Sequence, residues 1–95
     1  MAVFFLVLKD DQQSQADFDK LRTRLIEKFG VENLYSISPS QHLMAHNELF
    51  MPQQIADFIG EDFSKGSNGP YLLVPVSAYW GYHDNALWSW LAGKV

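Results

Sequence analysis

The sequence predicts an α+β domain, a ferredoxin-like βαββαβ sandwich with a C-terminal aromatic segment and a short closing helix. Three observations predict it. Apolar runs of strand length alternate with two stretches of helical period, in the order β-α-β-β-α-β. The first run is apolar at every position, as a strand buried on both faces must be. The last run carries a proline, which lacks a ladder donor and belongs at a sheet edge. The usual strand order of this plan, 4-1-3-2, puts strand one in the centre and strand four at an edge, so the local signals and the topology agree.

Ala2 to Leu8 forms the first strand, ended by Lys9-Asp10-Asp11. Ser14 is a candidate cap for the helix that follows, with Asp17 three residues on as a weak capping box. Phe18, Leu21, Leu25 and Phe29 then recur at steps of three, four and four, which lines one face of a helix over residues 14–29. Gly30 stands where a C-terminal cap belongs. Leu34 to Ile37 and His42 to His46 read as two strands joined by the turn cluster Ser38-Pro39-Ser40-Gln41. Pro52 fits a first helical position, and Ile55, Phe58 and Ile59 form the stripe of a short second helix. Residues 64–70 have loop composition. Tyr71 to Val74 is the fourth strand, interrupted at Pro75, with Val76 to Tyr79 continuing it in a new direction. Asp84 caps a last helix in which Leu87, Trp88 and Leu91 share a face and Trp90 lies at the margin.

Ninety-five residues make one domain, residues 1–95, which buries only about 60–65% of the surface exposed by the unfolded chain. The plan puts both main helices on one sheet face. Since the first strand is apolar towards the other face too, that face needs a cover. The segment from Ser77 to Leu91, a second subunit, or both together can supply it. We expect both, in a sheet-face homodimer, because Tyr79, Trp80, Tyr82, Trp88 and Trp90 are too much aromatic surface to leave in water.

Apolar residues at 47% and charged residues at 19% argue for a packed globule and against disorder. The formal charge of −4 withholds the electrostatic footprint of a general nucleic-acid binder. There is no cysteine, so thiolate metal sites, cysteine nucleophiles and disulfides are excluded, which fits a reducing compartment. The apolar run at the start of the chain falls far short of the ~20 residues of a membrane span and lacks a basic leader. The expectation is a cytoplasmic protein with no membrane partner.

Taken together, Val3 to Leu8, Leu21 to Phe29, Ile55 to Ile59, Tyr71 to Val76, Ala78-Tyr79-Trp80-Gly81-Tyr82 and Trp90-Leu91 make the chain resemble the SinR-like hypothetical proteins. These belong to a ferredoxin-like group that includes the small CRISPR-adaptation nuclease-like subunits. The resemblance spans nearly the whole chain, mostly as hydrophobic pattern. It implies a homodimer. In the nuclease-like relatives an Asp at the end of strand one, from each subunit, holds a divalent metal. Here Lys9 directly follows the strand and the acids come at Asp10 and Asp11, an offset that matters because side chains alternate faces.

Asp10 and Asp11 are therefore the candidate catalytic and metal-binding pair for Mg²⁺ or Mn²⁺, which would activate water for phosphodiester cleavage. The plainer reading is a solvated acidic turn before a helix N-terminus. His42 and His46 share a strand face but stand about 13 Å apart at ~3.3 Å per residue, too far for one metal, and read as ordinary hairpin histidines. His83-Asp84 is a candidate acid–base pair, or more simply a helix cap. Lys20, Arg22, Arg24 and Lys28 put basic charge on the first helix, diluted by Asp17, Asp19 and Glu27 into a solvated face. Tail aromatics can stack bases, but more commonly form core or interface.

The leading expectation is a small non-catalytic, homodimeric interaction or regulatory protein that needs no cofactor and has a protein partner. The first alternative is the metal-dependent nuclease built on Asp10 and Asp11. A further alternative is an acidic inhibitor that presents negative surface to a nucleic-acid enzyme.

Overall fold

A computed structural model of the protein describes residues 1–9, 15–60, 63, 70–77, 81 and 85–94. Along the chain run β1 (Ala2–Leu8), α1 (Gln15–Phe29), a 3-10 turn (Val31–Asn33), β2 (Leu34–Ser38), β3 (Gln41–His46), α2 (Pro52–Ile59), β4 (Tyr71–Val76) and α3 (Asn85–Lys94). The four strands form one antiparallel sheet in the order β2-β3-β1-β4. This is the α+β class and strand order that the sequence predicts, with β1 central and β4 at an edge.

Period-two alternation in β1 divides the interior into two layers. Phe4, Leu6 and Leu8 point to the face covered by α1 and α2, where they pack with Phe18, Leu21, Leu25, Phe29, Ile55 and Ile59. The buried residues of α1 are the four that the helical period selects. Val3 points to the opposite face and packs with Leu43, Ala45, Leu87 and Leu91. The second face is thus covered in part by α3 of the same chain, one of the two covers expected. Two polar contacts fix α3 in place. Trp90 donates its indole N–H to the Glu32 carbonyl at 3.1 Å, and Lys94 Nζ donates to Asn33 Oδ1 at 3.1 Å. Both tie α3 to the turn that leads into β2.

Local chemistry accounts for the element ends. Gly30 closes α1 with φ +84°, a backbone region that favours glycine, while its N–H still reaches the Ile26 carbonyl at 2.8 Å. Asn33 Nδ2 donates to the Phe29 carbonyl at 3.0 Å and satisfies another acceptor at the helix end. At α2, Pro52 takes an early position as expected, and Gln54 Oε1 accepts the N–H groups of Phe50 and Met51 at 3.1 and 3.0 Å. The caps expected from Ser14 and Asp84 lie outside the described residues.

One expectation is corrected. Pro75 does not interrupt the fourth strand. It sits opposite Phe4 in a ladder that runs unbroken from Tyr71 to Val76. The Lys9 N–H donates to the Pro70 carbonyl at 3.3 Å, which turns the backbone groups of Pro70 towards β1. By alternation Leu72, Val74 and Val76 also bond inwards, and Tyr71, Leu73 and Pro75 face out. The missing donor of Pro75 is one that the β1–β4 ladder never uses. The ladder ends at Val76, and the predicted continuation through Tyr79 falls mostly outside the described residues.

Candidate functional site

Most of the sequence-predicted site residues lie outside the described residues: Asp10, Asp11, Tyr79, Trp80, Tyr82 and the His83-Asp84 pair. Trp88 and Trp90 are on α3 and half-buried, packed against the second-face core. The Trp90 ring lies 6.1 Å from that of Tyr35. Both tryptophans therefore contribute to packing within the chain. No group of three or more His, Asp or Glu able to hold a metal occurs among the described residues.

His42 and His46 share the helix-facing side of β3, as predicted, and sit in unlike surroundings. His46 lies among aromatic rings, 5.0 Å from Phe58 and 6.2 Å from Phe29. Its Nδ1 accepts the N–H groups of Glu48 and Leu49 at 3.0 and 3.1 Å, which fixes the chain leaving β3. His42 is wholly buried. It stands directly across the hairpin from Ser36, whose Oγ lies 2.8 Å from His42 Nδ1, while His42 Nε2 lies 3.0 Å from the Pro39 carbonyl. A carbonyl only accepts, so Nε2 carries the proton, Nδ1 offers a lone pair, and the Ser36 hydroxyl donates to it.

This is the layout of a nucleophile, a base and an orienting group. Ser36 also lines a cleft of about 240 Å³, with Gln15, Phe18, Asp19, Arg22, Ser38 and Pro39. The electrostatics oppose its use as a catalytic pair. Taking the serine proton would make His42 an imidazolium. Burial lowers the His42 pKa first of all; the bond to Pro39 works the other way, and the Arg22 charge lowers it further. The orienting group is a neutral carbonyl, not the carboxylate that stabilises an imidazolium in serine hydrolases. Ser36 and His42 are thus suited to locking the β2–β3 hairpin. Spacing along the chain sets His42 beside His46 and does not point to Ser36. The signal was present in the turn, since Ser36 and His42 stand equally far from Pro39.

The basic residues of α1 do not form a single-sign surface. Asp19, Lys20, Thr23, Arg24 and Glu27 line a shared shallow groove that mixes both charges. Lys28 Nζ rests over the Phe58 ring, 5.6 Å from its centroid. This agrees with a solvated helix face.

Exposed large apolar side chains occur at Val31, at Phe50 and Met51 before α2, and at Leu72 on β4. On the α3 side of the sheet, Val7, Leu72 and Val74 belong to neither core cluster. Leu72 is 60% exposed. α3 lies over the β2 and β3 side, where its polar ties are, and this strip lies on the β1 and β4 side. No helix among the described residues is long and apolar enough to cross a membrane. No family model, curated protein or solved structure matches the chain.

Proposed function

We propose that the protein is a small, non-catalytic interaction module that works as a homodimer. Leu72, exposed on the edge strand β4 with Val7 and Val74 half-buried on the same face, supports this reading. A partner seated there would take this apolar surface out of water. The electrostatics around His42 point the same way, because they disfavour proton transfer at the most reaction-like pair among the described residues. The resemblance to the SinR-like group agrees with a dimer and supplies the rival, a nuclease that uses Asp10 or Asp11 with Mg²⁺ or Mn²⁺.

One experiment separates them. The purified protein is incubated at low salt with labelled single- and double-stranded RNA and DNA plus Mg²⁺ or Mn²⁺, and its mass is followed by sedimentation over a concentration series. The interaction reading expects intact substrate and a mass that rises towards the dimer. Cleavage that disappears in the Asp10→Ala/Asp11→Ala variant would replace it with the nuclease. A monomer at every concentration would remove the dimer.

A further inference from the structure

We infer that the cleft between the first half of α1 and the β2–β3 hairpin binds a small zwitterionic α-amino acid, with its carboxylate on Arg22 and its ammonium between Asp19 and Ser36. The cleft lies on the β2 side of the sheet, away from Leu72 on β4, and the inference does not depend on the dimer.

Helical period builds one wall. Gln15, Phe18, Asp19 and Arg22 recur at helical steps and share a stripe of α1. Ser36 meets this stripe from β2, and Pro39 meets it from the turn. The cleft holds about 240 Å³. Pockets for drug-sized ligands run to about 300–1,000 Å³, so this one suits a molecule of a few heavy atoms.

Two opposite charges share the lining without neutralising each other. Asp and Arg three residues apart on a helix are neighbours that commonly pair. Among the described residues no ion pair joins Asp19 to Arg22. Gln15 Nε2 donates to Asp19 Oδ1 at 3.1 Å and draws that carboxylate towards the start of the helix. The Arg22 charge is instead felt at His42, behind Ser36, whose pKa it helps to lower. Ser36 completes the set. Its proton goes to His42 Nδ1, 2.8 Å away, so towards the cleft its oxygen can only accept.

The lining therefore offers a guanidinium fork to a carboxylate, and a carboxylate with a hydroxyl oxygen to a cationic donor. A plain anion would be repelled by Asp19, and a plain amine by Arg22. An α-amino acid carries both groups on one carbon and satisfies both charges at once. Phe18 and Pro39 leave apolar surface for a small side chain.

The test is an NMR titration of the full chain with L-alanine, and with acetate and methylammonium as its two halves. L-Alanine should move the Ser36 amide and the His42 ring nitrogens, because an ammonium on Ser36 Oγ polarises the bond that Ser36 donates to Nδ1. It should bind about tenfold or more tightly than either half, as one added charge-assisted hydrogen bond allows. Arg22→Gln and Asp19→Asn, both at exposed side chains, should each abolish the response. Arg24→Gln, in the neighbouring groove, should keep it. Acetate or methylammonium binding as tightly as L-alanine would overturn the zwitterion. Ser36 and His42 resonances that stay in place with L-alanine would overturn the site. The ligand comparison is made on the unmodified chain, so it decides even if a variant perturbs folding.

Discussion

Replacing His42 with leucine should produce a stability loss that depends on pH in a defined direction. The variant keeps the approximate volume of the ring and removes both of its hydrogen bonds. The Pro39 carbonyl then loses its donor and the Ser36 hydroxyl its acceptor in a half-buried site. Leaving a buried polar group unsatisfied costs about 1–3 kcal/mol, so two such groups, offset by the gain from an apolar side chain, give a loss of about 2–4 kcal/mol at pH 8. The folded protein holds the His42 pKa below its ordinary 6.5, through burial first and then Arg22, against the raising effect of Pro39. The unfolded chain therefore binds a proton at a pH where the folded chain does not. The stability tied to neutral His42 is complete above pH 6.5 and declines as pH falls towards the lowered folded value, at up to about 1.4 kcal/mol per pH unit. The leucine side chain of the variant cannot titrate, so the gap between the two proteins should narrow below pH 6.5. Urea unfolding of both from pH 8 to pH 5 measures this, since titrations common to both cancel in the difference. A gap that stays constant or widens on acidification would refute the account of His42 as a neutral hairpin lock.

Two further substitutions probe the fold that holds the interaction surface. Leu91→Ala removes one of the two buried anchors of α3 and should cost about 2–3 kcal/mol, at the low end for a buried leucine because the second-face core is small; urea denaturation checks it, and a loss below half that would mean that α3 does not close this face. Gly30→Ala should cost about 1–2 kcal/mol by the same assay, because φ +84° strains an L residue, although an added Cβ would meet nothing within 4 Å.

Much of this fold was legible in the residues because helical and strand periods act locally. The α1 stripe, the central first strand and the edge position of β4 followed from period and from one proline. So did the split of β1 between two cores, since an all-apolar strand requires two covered faces. The candidate cover of the second face was legible as composition, and α3 shows how it is arranged: Leu87 and Leu91 pack on the sheet, while Trp90 donates a hydrogen bond to Glu32. The Ser36–His42 pair is not legible from spacing along the chain, which relates His42 to His46 instead. Across a hairpin, neighbours are found by counting outwards from the turn, and that count depends on the bulge between Ser36 and Ser38.

Pro75 shows the same limit from the other side. Read along the chain, a proline in an apolar run is a break. In the sheet, what matters is which of two sides its missing donor faces, and that parity is set by a contact at the strand's start, Lys9 N–H to the Pro70 carbonyl, five residues away. Facing outwards, Pro75 leaves the bonds to β1 intact and shapes only what can pair with the free edge. Any strand laid along that edge, another β4 included, finds an acceptor at Pro75 and no donor, so one of its carbonyls stays unpaired there. The proline therefore guards the edge against pairing in general. Changing Pro75 to valine should leave the fold of the monomer in place and favour edge association. Sedimentation of Pro75→Val over a concentration series checks this, and a mass that matches the unmodified chain at every concentration would show that Pro75 guards nothing.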